Sequence, residues 1–240
     1  MNAIETHALT RRFGAHTAVD GLDLTVRQGE LFALLGVNGA GKTTTLRMLS
    51  GLLQPTGGEA DILGFRLTQQ PQEIKRRINL SPQETAVAPN LTVRENLELI
   101  AGIYGASWRE AAQRAAETIA EFHLGEVERS RAKTLSGGWQ RRLSIAMALI
   151  SQPQLVFLDE PTLGLDVLAR GDLWDVIRTL KGRITIILTT HYMEEAEALS
   201  DRIGIMKGGR LLALGTADEL KRQTGKEKFE DAFIAIVKEN

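Results

Sequence analysis

Residues 31–46, LFALLGVNGAGKTTTL, decide the fold of this chain. The five apolar residues at 31–35 predict a short buried strand. Residues 36–43, GVNGAGKT, match the phosphate-loop pattern G-x-x-x-x-G-K-[ST], and the following residues predict a helix. The order of strand, glycine-rich turn and helix predicts a site for a nucleoside triphosphate.

The residue types of this loop suit clustered phosphate charge. Gly36, Gly39 and Gly41 allow the backbone angles and the close approach that bring several N–H groups onto one anion. The helix that follows adds unpaired N–H groups and the positive end of its dipole. Lys42 is expected to reach the β- and γ-phosphates, and the Thr43 hydroxyl is expected to ligate Mg²⁺.

The composition limits the classes of function that the chain can have. The chain has 240 residues, of which 43% are hydrophobic and 25% charged, which is an ordinary globular balance. The net charge of −1 gives no electrostatic case for nucleic acid, so no nucleic acid partner is expected. With no cysteine, disulfides and thiolate metal sites are excluded. No apolar run approaches the length of a membrane span, and no signal-peptide core is recognisable, so a cytoplasmic location is expected.

The residues that flank the loop predict further strands and a helical insertion. Residues 3–27 alternate near period two, which predicts two or three antiparallel strands, and residues 59–63 alternate again. Phe13 is either a half-buried strand residue or a flat surface for an adenine ring. Residues 91–120 have a helical pattern that starts with a capping box at Thr92 and Glu95. This helical insertion lies between two strands of the core.

Residues 135–142, LSGGWQRR, open another helix. Ser136 suits the N-cap, and the two glycines at 137 and 138 leave backbone N–H groups accessible at the helix start. One interpretation is a capped helix with a flexible entry. The other is a second anion-binding helix end in the same chain.

Acidic and polar residues follow the later predicted strands. Residues 155–158, LVFL, predict a central parallel strand that ends in Asp159 and Glu160. Carboxylates at this edge of the sheet suit Mg²⁺ binding by Asp159 and orientation or deprotonation of a water by Glu160. Asp166 suits a helix N-cap. His191 follows the strand 184–188, and a γ-phosphate sensor is one interpretation beside a structural role.

In this order, these motifs resemble the nucleotide-binding subunit of ATP-binding cassette (ABC) transporters, over nearly the whole chain. The sequence 190–197, THYMEEAE, is similar to the ABC-2 type branch, which exports drugs, antibiotics, lipids or ions. The resemblance implies an α/β fold: a P-loop NTPase (RecA-like) parallel-sheet core, an N-terminal antiparallel β subdomain and an inserted α-helical subdomain. The division expected within this single domain is core and β subdomain at about 1–83 and 153–223, helical subdomain at about 84–152 and helical tail at about 226–240.

The resemblance also implies site residues. The catalytic residues would be Glu160, His191 and Gln83, and the Mg²⁺ ligands would be Thr43, Gln83 and Asp159. The nucleotide-binding residues would be Phe13, Val19, Gly36, Asn38, Gly39, Ala40, Gly41, Lys42, Thr43, Thr44, Ser136, Gly137, Gly138 and Asp166.

The implied mechanism pairs two cassettes head to tail as a homodimer or heterodimer. Each ATP is held by the phosphate loop of one chain and by Ser136, Gly137 and Gly138 of the other, and hydrolysis opens the pair. The implied partner is a multi-spanning permease of the ABC-2 type, touched by the Gln83 loop and the helical insertion. The chain would then lie on the inner face of the cell membrane through that partner.

One residue departs from the family pattern, because Trp139 stands where Gln usually follows LSGG. In the family this position contacts the partner's nucleotide sugar, so the substitution bears on that contact. Two other classes compete. One is an ABC-type ATPase that acts as a mechanical switch on ribosomes or DNA. The other is a nucleotide kinase or GTPase, which leaves LSGG and His191 unexplained.

Overall fold

Two β-sheets and the helices around them are seen in a computed structural model that describes residues 1–239. The strands are β1 (Asn2–Phe13), β2 (His16–Arg27), β3 (Leu31–Gly36), β4 (Gly57–Ile62), β5 (Phe65–Arg66), β6 (Ile78–Ser81), β7 (Leu155–Asp159), β8 (Thr185–Thr190), β9 (Arg202–Lys207) and β10 (Arg210–Gly215). The helices are α1 (Lys42–Leu49), α2 (Pro71–Lys75), α3 (Val93–Ile103), α4 (Trp108–Glu121), α5 (Gly137–Leu149), α6 (Val167–Leu180), α7 (Met193–Leu199), α8 (Ala217–Thr224) and α9 (Phe229–Glu239).

The central sheet has six strands in the order β10-β9-β3-β8-β7-β6. Its strands pair in parallel except at the edge, where β10 runs antiparallel to β9. Every residue of β3, β7 and β8 is buried. Such apolar runs form central parallel strands because both faces of the sheet are covered. The carboxyl ends of β3, β7 and β8 therefore meet at one edge, where the phosphate loop, Asp159 and His191 follow them.

The second sheet has the strand order β2-β1-β4-β5, and each pair of neighbouring strands is antiparallel. Its first two strands are the two long strands expected ahead of the phosphate loop. Its apolar face packs on α1 and on the central sheet in one cluster, which includes Val19, Leu46 and Phe157. The expected fold class, a parallel-sheet core with an antiparallel β subdomain and a helical insertion, is confirmed.

The helical insertion differs in detail from the sequence prediction. Residues 91–120 form two helices, α3 and α4, because Gly105 adopts a φ of 88° between them. Ser107 then caps α4 with Glu110 in a second capping box, as Thr92 and Glu95 do for α3. The insertion shares one apolar cluster with the central sheet, since Leu97 and Phe122 belong to the same cluster as Val156 and Leu188.

The tail helix α9 is part of the core. Phe229, Ala232, Phe233 and Ile236 are buried, and three of them pack with α8 and the central sheet. The expected packing role of this apolar stripe is therefore confirmed for the residues that the structure describes. The predicted tail range 226–240 ends at Asn240, which lies outside those residues. Within residues 1–239, no helix combines the length and the apolar character needed to cross a membrane.

Candidate functional site

The phosphate loop connects β3 to α1, and at two of its positions there is room for glycine only. Gly41 has a φ of 103°, and a Cβ there would lie 2.5 Å from the carbonyl oxygen of Ala18. A Cβ at Gly36 would lie 2.5 Å from the carbonyl oxygen of Met206. Both distances are shorter than real Cβ contacts, so neither position accepts a side chain without movement of the backbone. The loop is thereby held against β2 and β9.

Lys42 points back into the loop that precedes it. Its Nζ donates to the carbonyl oxygen of Gly36 at 2.7 Å and lies 3.2 Å from Oε1 of Glu160. Both side chains are almost fully buried, with 6% and 7% exposed. Phosphate groups carry more charge than one carboxylate, so a nucleotide can draw this ammonium group away from Glu160.

Asp159 is the last residue of β7, and two hydroxyl groups donate to it. Thr43 Oγ1 lies 3.1 Å and Thr189 Oγ1 lies 2.6 Å from its Oδ1. Hydroxyl and carboxylate oxygens are the hard ligands that Mg²⁺ prefers, and Mg²⁺ commonly takes one or two protein ligands besides substrate phosphates and water. The residues present at this position therefore fit the ion that the sequence predicts.

Glu160 is held in an uncommon backbone conformation, with a φ of 48°. Its N–H donates to the carbonyl oxygen of Thr189 at 3.1 Å and to Thr189 Oγ1 at 3.0 Å. A left-handed conformation costs a non-glycine residue roughly 1–3 kcal/mol and is common at functional sites. Its Oε2 lies 2.8 Å from Nδ1 of His191. The carboxylate thus lies between the ammonium group of Lys42 and the imidazole of His191.

Lys42, Thr43, Glu160 and His191 line one cavity of about 440 Å³, a size suited to a small-molecule ligand. Asp159 and Thr189 lie behind this lining, and Asp159 reaches it through its contact with Thr43. The lining residues are His16, Ala18, Asn38, Gly39, Ala40, Gly41, Lys42, Thr43, Thr44, Gln83, Glu160, Leu163 and His191. Sequence reasoning missed His16, Ala18 and Leu163, which only the fold brings here. It also missed Thr189. The signal in the sequence was the polar run Thr189-Thr190-His191 at the end of the predicted strand.

The remaining predicted residues lie outside this cavity. Ser136 occupies the N-cap of α5 and is exposed, but its hydroxyl makes no capping hydrogen bond. Gly137 and Gly138 form the first turn of that helix. Asp166 caps α6, since its Oδ1 accepts from the N–H of Ala169 at 2.9 Å. A single chain therefore does not bring its LSGG segment to its own phosphate loop.

Phe13 and Val19 also lie outside the cavity lining. The Phe13 ring is 46% exposed, and the Arg11 guanidinium carbon lies 4.5 Å from its centroid. An adenine ring would use the other face or displace Arg11. Val19 is fully buried in the core, main chain included, so it presents no surface to a ligand in this structure.

Trp139 packs within its own chain. Its indole ring lies against the apolar cluster of the helical insertion, and the Arg142 guanidinium carbon is 4.8 Å from the ring centroid. It lines a cleft together with Arg94 and His123 of that insertion. The Trp at this position therefore has a packing role in the structure.

Two buried charged residues adjoin the site. Burial lowers the pKa of Arg141 to about 10, against the opposing attraction of Asp159, Glu195 and Glu160. Burial also raises the pKa of Glu195, although hydrogen bonds from Thr190, Thr162 and Trp174 favour its ionised form. Arg141 remains a cation at neutral pH, and its side chain contacts the site residues directly.

A larger cleft of about 710 Å³ lies at the amino ends of the central strands, lined by Gly29, Gln154 and Thr185 among others. Its charged lining residues include Arg183 and Glu121, which pair with each other at 2.6 Å. Ligands of open α/β sheets bind at the carboxyl ends of the strands. The cavity around Lys42 is therefore the candidate site.

Comparisons with known proteins agree with this geometry. The family model described as ABC transporter matches residues 19–163. The daunorubicin/doxorubicin resistance ATP-binding protein DrrA of Streptomyces peucetius is 46% identical over 93% of this chain and 68% of its own. A solved ATP-binding subunit of an ABC transporter superposes with a TM-score of 0.86 at 32% identity, covering 98% of this chain and 99% of its own. A dimeric ATP-binding cassette in a post-hydrolysis state, bound to ADP and phosphate, has a TM-score of 0.79 at 26% identity, covering 89% and 98%. The chain belongs to the ABC transporter family, as an ATP-binding subunit that hydrolyses ATP.

Proposed function

We propose that this cassette binds ATP and Mg²⁺ in the cavity around Lys42 and drives export of a substrate through a separate membrane subunit. The observation that carries the proposal is the position of Glu160 between Lys42 and His191, beside the pair formed by Thr43 and Asp159. Phosphate binding, a metal position and a candidate base are thereby combined in one cavity.

In this proposal each side chain has a separate task. Lys42 and the loop N–H groups would hold the phosphates, and Thr43, Asp159 and Gln83 would hold Mg²⁺, whose charge would offset that of the phosphates. Glu160 orients or deprotonates the attacking water, and His191 contacts the γ-phosphate. When ATP engages Lys42, the Glu160 carboxylate loses its ion-pair partner and becomes available as a base.

The complete site needs a second cassette, as a homodimer or a heterodimer. Ser136 and Gly137, at the start of α5, are exposed and lie outside the cavity at the chain's own phosphate loop. Next to Asp166, the apolar side chains of Leu163, Val167 and Leu168 are 40%, 72% and 81% exposed, and exposed apolar patches commonly mark interfaces. Both features support a pairing in which each ATP lies between the phosphate loop of one cassette and Ser136 of the other.

The membrane partner would be an ABC-2 type permease that docks on the helical subdomain, about residues 84–152, and on the Gln83 loop. The support is a set of exposed apolar side chains on α3, α4 and the turn between them, namely Leu99, Ile103, Tyr104 and Trp108. The cassette would lie on the inner face of the cell membrane through this contact. By analogy with DrrA, whose name specifies daunorubicin/doxorubicin resistance, a drug or antibiotic is the proposed class of substrate.

The proposal predicts where the native protein is recovered. The chain, tagged in its own cells, is expected to sediment with membranes and to co-purify with a multi-spanning protein. A variant with Ile103→Glu and Trp108→Glu places charge on the proposed docking face and should lose the membrane fraction while retaining ATP binding. A matched control, Glu227→Gln, changes an exposed residue outside that face. Recovery with ribosomes instead of membranes would favour a mechanical switch over a transporter.

A further inference from the structure

A single buried arginine connects three segments of the proposed ATP site. Arg141 lies one turn into α5, and only 4% of it is exposed. Its guanidinium group donates to main-chain carbonyl oxygens of two loops. The acceptors are Pro161 from Nε, Pro82 and Gln83 from Nη1, and Asp159 and Glu160 from Nη2.

These hydrogen bonds use the full donor capacity of the guanidinium group. A guanidinium group carries five N–H donors in a fixed fork, and five carbonyl oxygens accept from this one. The distances include 2.7 Å to Pro161, 3.1 Å to Gln83 and 2.6 Å to Asp159. Carbonyl groups of irregular turns need hydrogen-bond partners when they are buried, and here the two turns obtain them from the same side chain.

The two turns contain residues with different proposed tasks. Pro82 and Gln83 follow β6, and Gln83 is a proposed Mg²⁺ ligand. Asp159 ends β7, and Glu160 and Pro161 follow it; this turn contains the proposed base. Arg141 itself belongs to α5, the helix whose first turn would face the partner's ATP. Movement of any of these segments relative to the others must stretch or break hydrogen bonds to the guanidinium group.

We propose that Arg141 is a positioning residue for hydrolysis, which holds the Gln83 loop and the Glu160 turn at fixed places relative to the LSGG helix. It touches neither nucleotide nor water, and acts through the carbonyl groups that it fixes. This inference rests on the proposed function and deepens it. Because the hydrogen bonds of Arg141 go to the turns after β6 and β7 and not to the phosphate loop, its loss should affect the chemical step far more than the affinity for nucleotide.

The test compares Arg141→Lys and Arg141→Gln with Arg142→Lys. Lysine keeps the charge but presents three donors on one atom. Glutamine keeps two donors and removes the buried charge. Because the two substitutions retain different properties of the arginine, at least one variant should fold. Arg142 is the matched control, since its guanidinium group pairs with the exposed Asp172 at 3.3 Å and stacks on Trp139. The measurements are kcat and KM for ATP of the folded proteins, and the Kd of a non-hydrolysable ATP analogue.

A misplacement of about 1 Å can cost roughly 10²-fold in rate, so kcat of the Arg141 variants should fall about ten- to hundredfold. The Kd of the analogue should change less than about threefold, and Arg142→Lys should resemble the parent. A purely structural role would lower the melting temperature and leave kcat per folded molecule intact, and that result would overturn the inference. If the parent protein itself failed to hydrolyse ATP, the proposed function would fail first, so the two failures are distinguishable.

Discussion

Glu160→Gln is expected to lower the rate of ATP hydrolysis by about 10²- to 10⁴-fold, the usual contribution of a positioned general base. That loss corresponds to roughly 3–5 kcal/mol of barrier. The amide keeps the size of the side chain and part of its hydrogen bonding, but it has neither the charge nor the basicity of the carboxylate.

Nucleotide affinity of the same variant should be at least that of the parent. Lys42 Nζ lies 3.2 Å from the Glu160 carboxylate, so ATP must compete with an internal ion pair for this ammonium group. Glutamine removes that competitor. Calorimetry with ATP and Mg²⁺, together with phosphate release, measures both effects, and Glu227→Gln serves as a control at an exposed position. Hydrolysis at the parental rate would remove Glu160 from the catalytic role.

Lys42→Ala is expected to abolish or greatly weaken ATP binding. Hydrogen bonds to charged groups contribute roughly 1.5–3 kcal/mol each, and Lys42 is expected to contact two phosphates. Two such contacts correspond to about 10²- to 10⁴-fold in affinity at 1.4 kcal/mol per tenfold. The substitution also leaves the buried Glu160 carboxylate without its cation, so the nucleotide-free protein should lose stability as well.

The matched control for this prediction is Lys226→Ala, which removes an exposed lysine near the carboxyl end of the chain. Binding of a non-hydrolysable ATP analogue to each protein is measured by calorimetry at a temperature where both are folded. Equal affinities for Lys42→Ala and the parent would mean that the phosphates are held elsewhere than in the loop at 36–43.

The phosphate loop and the carboxylate strand could be predicted from sequence because their signals are local. The spacing of Gly36, Gly41 and Lys42 specifies one turn, and the apolar run ending in Asp159 specifies a buried parallel strand whose end meets the same edge. The apolar period of α9 identified its buried face for the same reason. Patterns of this kind need no knowledge of distant residues.

The residues that were missed act through long-range contacts. Arg141 is an ordinary helix residue in the sequence, and its five carbonyl acceptors lie at least 18 positions away along the chain. Thr189 orients Asp159 across two neighbouring strands. The break at Gly105 was missed because the apolar spacing of α3 and α4 is nearly continuous, and helical spacing alone does not show that a glycine adopts a positive φ.

Cysteine pairing tests whether each ATP is shared by two cassettes. The chain has no cysteine, so Asn38→Cys and Ser136→Cys can each be introduced alone into Glu160→Gln protein. Both positions are exposed, and one lies in the phosphate loop while the other occupies the N-cap position of α5. Equal amounts of the two proteins are mixed with a short bifunctional thiol cross-linker, with ATP and Mg²⁺ or with ADP and Mg²⁺.

The account predicts a covalent dimer in the mixture with ATP, little dimer with ADP, and little dimer from either single-cysteine protein alone. That pattern requires the phosphate loop of one copy to face Ser136 of another only when ATP is bound. If the mixture gave no covalent dimer with ATP, or gave equal amounts of dimer with ATP and with ADP, the shared site would be contradicted.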